Sequence, residues 1–450
     1  MDTLFPLIII TYIEAFSKVF PAKNFIYFRG FILAFMLLGE TRKCITNIAR
    51  VCFFVDRNIS SWERFLSQHN WDINEVRKIL VNLIKEELGE KMKIYGSYLA
   101  CIDTTLVAKL IGKMIGVQKW PVHSNNPDKG EYLIGHHWAI ASLIGEIFIG
   151  KKIIPLCFPI ISGLISGKKN PIGSFVSDDG IVEQMDFWYT TCPLVVQIKK
   201  MLGDASLRIV ADAYFSKAPF INWMLEYSIN VITRMRVDAV GWDDPLLKVS
   251  SEKKKRGRPR KRPEKGKIWK IAHLIKEFPL QEVKVAVYGK LRTLQIVNRE
   301  LWIRGIEKEK VKVVVIKTEG KPVILLSTDR ELTSEQIIHI YSLRFSIETA
   351  IRELKQSFGF GDYQAVNTTS IYRFTGLSIV CFSLWRLVAI FSIYSNWLKA
   401  VGEIYTLLSF KRMSLAVRRF TVKRIFEKFA CGADFQNSIY EPEQIIRLFA

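Results

Sequence analysis

Three short apolar runs, Ser97–Asp103, Leu207–Asp212 and Asn230–Arg234, constrain the fold more than any other feature of the chain. Each spans five to seven residues, too short for a stable helix and apolar enough to be buried on both faces, so each predicts a strand inside a sheet. Helical spacing over Met185–Met201 and near Ala218–Glu226 separates the later runs, while Gly135–Ile149 and Lys152–Ile161 are further apolar stretches. Strands first, then strands alternating with helices, predict an α/β fold around a sheet of mixed pairing.

The remaining segments divide around that sheet. Residues 1–95 read as helical: Ser60-x-x-Glu63 is a capping box before Trp62–Gln68, Asp72-x-x-Glu75 opens a helix to about Leu88, and Thr41–Phe54 holds a third candidate. These helices suit a helix-turn-helix or, equally, a bundle with no DNA role. Residues 239–330 interrupt the α/β pattern with a basic loop and an all-β insertion. There Glu282–Tyr288 pairs with Leu291–Asn298 through a turn at Gly289-Lys290, and Val311–Lys317 with Pro322–Ser327 around Glu319-Gly320. Thr333-x-x-Gln336 then caps a helix to about Phe358, and residues 371–450 are helical with a basic run from Lys411 to Arg424. The expected α/β core comprises residues 96–238 and 331–370.

Charge narrows the partners. Lys and Arg number 65 against 43 Asp and Glu, a net charge of +22, which calls for a polyanion: nucleic acid or an anionic membrane. A membrane fits less well, because Ile153–Gly167 is too short to span one and Phe374–Leu398 carries Arg386 at its centre, which reads as a buried core helix. The start of the chain lacks the basic opening of a secretory signal, and seven cysteines show no CxxC or Cys/His spacing, as expected of free thiols in the cytoplasm. Lys253–Lys270 holds eleven basic residues and one acid; within it Arg256, Arg258 and Arg260 form a Gly/Pro-spaced string that suits DNA phosphates.

The chemistry concentrates on the helix after Thr333. Tyr341, Arg344, Glu348 and Lys355 lie at offsets 0, 3, 7 and 14, which at about 100° per residue places them in one stripe about 60° wide. Leu343, Ile347, Ala350, Ile351 and Leu354 take the opposite side. A solvated helix face would give the same stripe. Asp103 and Asp212, however, each close an apolar run elsewhere in the chain, and a carboxylate beside a sheet is costly unless a cation neutralises it. Three carboxylates from two strands and one helix can hold two Mg²⁺ or Mn²⁺ ions for phosphodiester cleavage, with Arg and Lys for phosphate oxygens and Tyr341 as a hydrogen-bond donor. His136-His137, adjacent on a strand, point to opposite faces, and Asp178-Asp179 before Gly180 suit a turn.

The pattern Tyr-x2-Arg-x3-Glu-x6-Lys resembles the signature of DDE transposases of the insertion sequence "four" type. Cys101-Ile-Asp103-Thr-Thr, Val210-Ala-Asp212-Ala-Tyr-Phe and Phe358-Gly-Phe-Gly-Asp-Tyr-Gln364 are similar to that family's other segments. The resemblance covers roughly residues 97–364. It implies a ribonuclease-H-like catalytic domain, Asp103, Asp212 and Glu348 as ligands of two metal ions, and cut-and-paste transposition through a DNA hairpin. It also implies a β-rich insertion whose Trp stacks on a flipped base, here Trp302 first and Trp269 second. Expected partners are double-stranded DNA with terminal inverted repeats, target DNA and a second copy of the chain in a dimer on DNA. The rival expectations are a domesticated nuclease and a non-enzymatic DNA-binding regulator using the basic loop and N-terminal helices; three extra carboxylates facing phosphate favour the enzyme.

Overall fold

Strand pairing organises the molecule. This computed structural model describes residues 4–52, 54–109, 114–122, 130–149, 152–165, 174–176, 182–184, 187–244, 266–394 and 410–430. Helices α1 (Leu7–Glu14), α2 (Ala22–Leu38), α3 (Ile45–Val51), α4 (Ile59–Ser67) and α5 (Ile73–Leu88) come first. Strands β1 (Lys93–Ile94), β2 (Ser97–Ala108), β3 (Gln118–Pro121), β4 (Tyr132–Ile149) and β5 (Lys152–Leu164) follow, then the small β6 (Ser174–Val176) and β7 (Val182–Gln184). Helix α6 (Phe187–Leu202) leads to β8 (Leu207–Ala211), and α7 (Ala218–Glu226) to β9 (Asn230–Met235).

In the centre of the sheet β4 lies antiparallel to both β2 and β5, while β8 runs parallel to β2 and β9 parallel to β8. The order β5-β4-β2-β8-β9, with α6 and α7 as connections, is a mixed α/β sheet consistent with a ribonuclease-H-like transposase. β2 does not stop at Asp103 as its apolar run implied. β4 pairs with it as far as Ala108 opposite Gly135, and the β-branched Thr104 and Thr105 continue the strand, so Asp103 lies mid-strand.

The next strands are β10 (Val240–Trp242), β11 (Ile268–Lys270), β12 (Gln281–Val287), β13 (Lys290–Ile303), β14 (Ile306–Ile316) and β15 (Val323–Ser327), with the one-turn α8 (Leu274–Glu277) between β11 and β12. They do not form a separate sheet: β15 pairs antiparallel with β9, so they extend the central sheet through β14 and β13 to β10 and β11. The β12–β13 hairpin turns one residue earlier than its sequence suggested. Tyr288 (φ 52°) and Gly289 (φ 73°) are both left-handed, the geometry of a tight two-residue hairpin turn, and Val287 pairs with Lys290.

α9 (Ser334–Leu343) starts at the capping box expected of Thr333 and Gln336, and α10 (Phe345–Gln356) continues it with a one-residue break at Arg344. α11 (Thr368–Tyr394) is, over Thr368–Phe391, the one helix among the described residues long and apolar enough to cross a membrane, yet it is almost wholly buried. It packs on β5 and against α2, α4 and α5, and Arg386 within it donates to Glu353 at 2.6 Å, so its apolar surface serves the core. α12 (Phe410–Ala430) lies on α2. Helices from both ends of the chain therefore share one core beside the sheet. Within them, Asn58 rather than Ser60 caps α4, accepting from the Ser61 backbone at 2.9 Å, and Asp72 caps α5.

Candidate active site

Asp103 points from the middle of β2 toward the α9–α10 junction. Its Oδ1 accepts the Thr104 N–H at 2.7 Å, and its Oδ2 lies 3.9 Å from Arg344 Nη1. The same guanidinium donates through Nη2 to Glu348 Oε1 at 2.5 Å, one helical turn on. Arg344 therefore links the carboxylate of the strand to that of the helix. Asp212, at the end of β8 beside β2, caps a turn of 3₁₀ helix by accepting the Tyr214 N–H at 2.9 Å, while its carbonyl takes the Thr233 hydroxyl at 2.7 Å. Parallel pairing of β2 with β8 brings the two aspartates to one region, because Ile102 is opposite Ala211.

Electrostatics register that convergence. Burial pushes the Asp103 carboxyl up to about 6; the Thr104 N–H opposes it, the negative fields of Asp212 and Glu348 add to it, and Arg344 offsets part. Burial works against the Arg344 charge too, yet the bond to Glu348 and the acidic groups around it hold the guanidinium above its ordinary value. Burial likewise raises the Tyr341 phenol, which feels the charges of Arg344, Arg234 and Asp212.

The stripe is thus only partly a solvated face. Tyr341 and Arg344 are half-buried, and Lys355 Nζ reaches across to donate to the Leu106 carbonyl at 3.0 Å, with Thr105 Oγ1 at 3.3 Å. Arg234, exposed near the end of β9, adds a cation beside Tyr341 that sequence reading passed over. Its only local signal was a basic residue closing an apolar strand, and its place beside Asp212 comes from β8–β9 pairing. Two exposed aromatic rings were also missed. Tyr288 at the hairpin tip and Phe345, next to Arg344, stand edge-to-face with centroids 6.0 Å apart.

Trp302 is not brought to the carboxylates. It lies four strands from β8 along the sheet, towards the end away from Asp212, half-buried, with its indole N–H on Asp244 at 3.0 Å. Trp269 is a core residue whose indole N–H binds Asp243 at 2.7 Å. Arg256, Arg258 and Arg260 lie outside the described residues. Round the helix from the stripe, a cavity of about 360 Å³ opens between the hairpin tip, α9–α10 and β5, but none of the three carboxylates lines it.

Asp103, Asp212 and Glu348 offer oxygen donors only, which suits Mg²⁺ or Mn²⁺ rather than a soft metal. Among the described residues no three His, Cys, Asp or Glu side chains already form a metal cage, and Arg344 is the cation between two of the carboxylates. A carboxyl held near 6 by burial first, and then by the fields of Asp212 and Glu348, is one whose charged form additional positive charge would favour. The donor set therefore fits divalent cations, provided the carboxylates draw closer.

Residues 190–381 match the family model of the transposase DDE domain. The match supports a DDE transposase. It includes Asp212, Tyr341, Arg344, Glu348 and Lys355 but begins after Asp103, whose place in the site rests on geometry. No curated protein matches the chain. Such a transposase domain implies DNA as substrate and an enzyme of the nuclease and transferase kind.

Proposed function

We propose that the chain is a cytoplasmic cut-and-paste transposase of the insertion sequence "four" type, cutting DNA at terminal inverted repeats and joining the freed ends to target DNA. The observation that carries this reading is the joint hold of Arg344 on Asp103 and Glu348, with Asp212 close enough to raise the Asp103 carboxyl. Asp103, Asp212 and Glu348 would hold two Mg²⁺ or Mn²⁺ ions, which when bound activate a water or 3′ hydroxyl and stabilise the leaving oxygen.

The other groups have electrostatic and positioning work. Arg344, Lys355 and Arg234 surround the carboxylates with cations for the phosphates flanking the cut, and Tyr341 contributes a phenol hydrogen bond. If the second strand is cut through a hairpin, the tightly bent DNA needs an unstacked base accommodated. Phe345, exposed and next to Arg344 in the chain, with the exposed Tyr288 ring against it, is better placed for that stacking than Trp302. The basic 253–270 segment and the N-terminal helices supply further DNA contacts, and holding two ends at once calls for a dimer on DNA.

The test is cleavage of a duplex carrying the DNA that flanks the gene, with Mg²⁺ or Mn²⁺, by the wild type and by Glu348→Gln. A cut at the repeat boundary by the wild type alone, with a hairpin on a denaturing gel, is the expected result. Tight binding without any metal-dependent cut would instead mark a DNA-binding regulator and overturn the proposal.

A further inference from the structure

The turn between α10 and α11 is bound to the end of β2 with unusual closeness. Gly359 is left-handed (φ 62°), and a Cβ there would meet Lys43 Cβ and Asp362 Oδ2, each at 2.7 Å. A Cβ on Gly361 would meet Val107 Cγ1 at 2.7 Å. Phe358, Phe360 and Tyr363 are buried, and Asp362 accepts the Lys43 backbone N–H at 2.7 Å. The turn thus joins the strand, the N-terminal helices and the catalytic helix.

One side chain secures it. Lys109, just past β2 and buried, donates from Nζ to the Gly361 carbonyl at 2.6 Å and the Tyr363 carbonyl at 2.7 Å, with the ammonium 3.4 Å from the Tyr363 ring centroid. The phenol beyond it ends a fully paired chain. Trp138 Nε1 donates to Tyr363 Oη at 3.1 Å, and the Ile115 carbonyl can only accept from His136 Nε2. His136 Nδ1 must then be the acceptor for the Tyr363 hydroxyl, at 2.6 Å. A buried ammonium held by carbonyls and a ring, with no carboxylate in direct contact among the described ion pairs, is costly. An apolar side chain of similar length would fill the space but leave both carbonyls without this donor.

Lys109 and Lys355 make opposed ties. Lys355 runs from α10 to the Leu106 carbonyl of β2, and Lys109 runs from the end of β2 to the turn that follows α10. We infer that Lys109 is a positioning residue for the transposition reaction: it fixes the far end of α10 on β2 and so sets Glu348 and Lys355 relative to Asp103. This rests on the proposed cleavage activity.

Lys109→Met tests it. A displacement of about 1 Å at a catalytic group costs up to about 100-fold, so cleavage turnover is expected to fall about 10- to 100-fold, with affinity for the end duplex within about twofold of wild type. The Mg²⁺ concentration for half-maximal cleavage should rise; a variant that merely folded less completely would lose amplitude and leave that concentration unchanged. Without metal or DNA, amide exchange across residues 357–363 should quicken about tenfold or more while α9 is unaffected. Should Lys109→Met fail to fold, Gly361→Ala, which presses the turn off Val107, must show the same signature. Wild-type turnover, half-saturating Mg²⁺ and exchange in whichever variant folds would overturn the inference. If the wild-type protein itself does not cut, the proposed function fails, and unchanged exchange in the variant would still refute the tie.

Discussion

Asp103→Asn should make the metal-free protein more stable while abolishing cleavage. The fold holds the Asp103 carboxyl at about 6 against an ordinary value of 3.8, through burial first and then the charges of Asp212 and Glu348. A carboxyl raised in the folded state costs nothing well below its ordinary value of 3.8, where it is protonated in both states. The cost grows as pH rises through 3.8 towards 6 and is complete above that. The difference between 3.8 and about 6 corresponds to about 3 kcal/mol at neutral pH and about 1 kcal/mol at pH 4.5. The side chain is 21% exposed, so solvent screening makes about 2 kcal/mol the better expectation at pH 7.5.

Asparagine keeps what stabilises the site. Its Oδ1 can still accept the Thr104 N–H, and Arg344 retains Glu348 as its partner, so the substitution removes a repelled charge without orphaning a donor. Urea unfolding in EDTA at pH 4.5 and 7.5 measures the effect, provided the slopes match. The variant should gain more at pH 7.5 than at pH 4.5. An equal gain at both, or a loss at pH 7.5, would refute the reasoning that the buried Asp103 charge, crowded by Asp212 and Glu348, is what the site costs the fold.

Lys355→Ala should lower end cleavage at least about tenfold while reducing the salt slope of end binding by only about one, as quantitative footprinting at several ionic strengths would show; equal losses in both would make Lys355 an ordinary DNA contact. Phe345→Ala should slow hairpin formation more than the first nick, read on denaturing gels over time, because stacking contributes about 1–3 kcal/mol per base. Gly30→Ala should destabilise the protein by about 1–3 kcal/mol in urea unfolding, since the new Cβ would lie 2.4 Å from Cη2 of the fully buried Trp62. Unchanged stability there would mean that α2 and α4 are less tightly packed than described.

Local chemistry was legible in the sequence where a few neighbouring residues decide it. The Thr333–Gln336 capping box, the Ala218–Glu226 helix and the strands around Glu319-Gly320 follow from caps, turns and periodicity, and all are present. Features decided by distant partners were not. The apolar run ended at Asp103, but β4 carries the strand on to Ala108. The strands after residue 239 read as all-β, but the pairing of β15 with β9 that joins them to the central sheet is a contact no local pattern encodes. The chain ends read as separate helical regions, whereas α11 packs with α2, α4 and α5. At the site the stripe was visible by helical spacing, while the approach of Arg344 to Asp103 and of Arg234 to Tyr341 depends on where the sheet places the helix.

The continuity of that sheet bears on how the site is assembled. Part of β13 pairs with β14 inside the sheet, while the part nearer the hairpin tip pairs with β12, which packs on α9. Tyr288 therefore reaches Phe345 on a hairpin rooted in the same sheet that carries Asp103, not on an independent module joined by a linker. A ring delivered this way has little positional freedom left to lose when DNA arrives. The carboxylates show the complementary economy. Arg344 already supplies positive charge to Asp103 and Glu348, yet burial, with the fields of Asp212 and Glu348, still holds the Asp103 carboxyl up. The fold thus keeps its cationic and aromatic groups prepared and leaves a buried carboxylate with acidic neighbours as the unsatisfied element, one that divalent cations are suited to relieve.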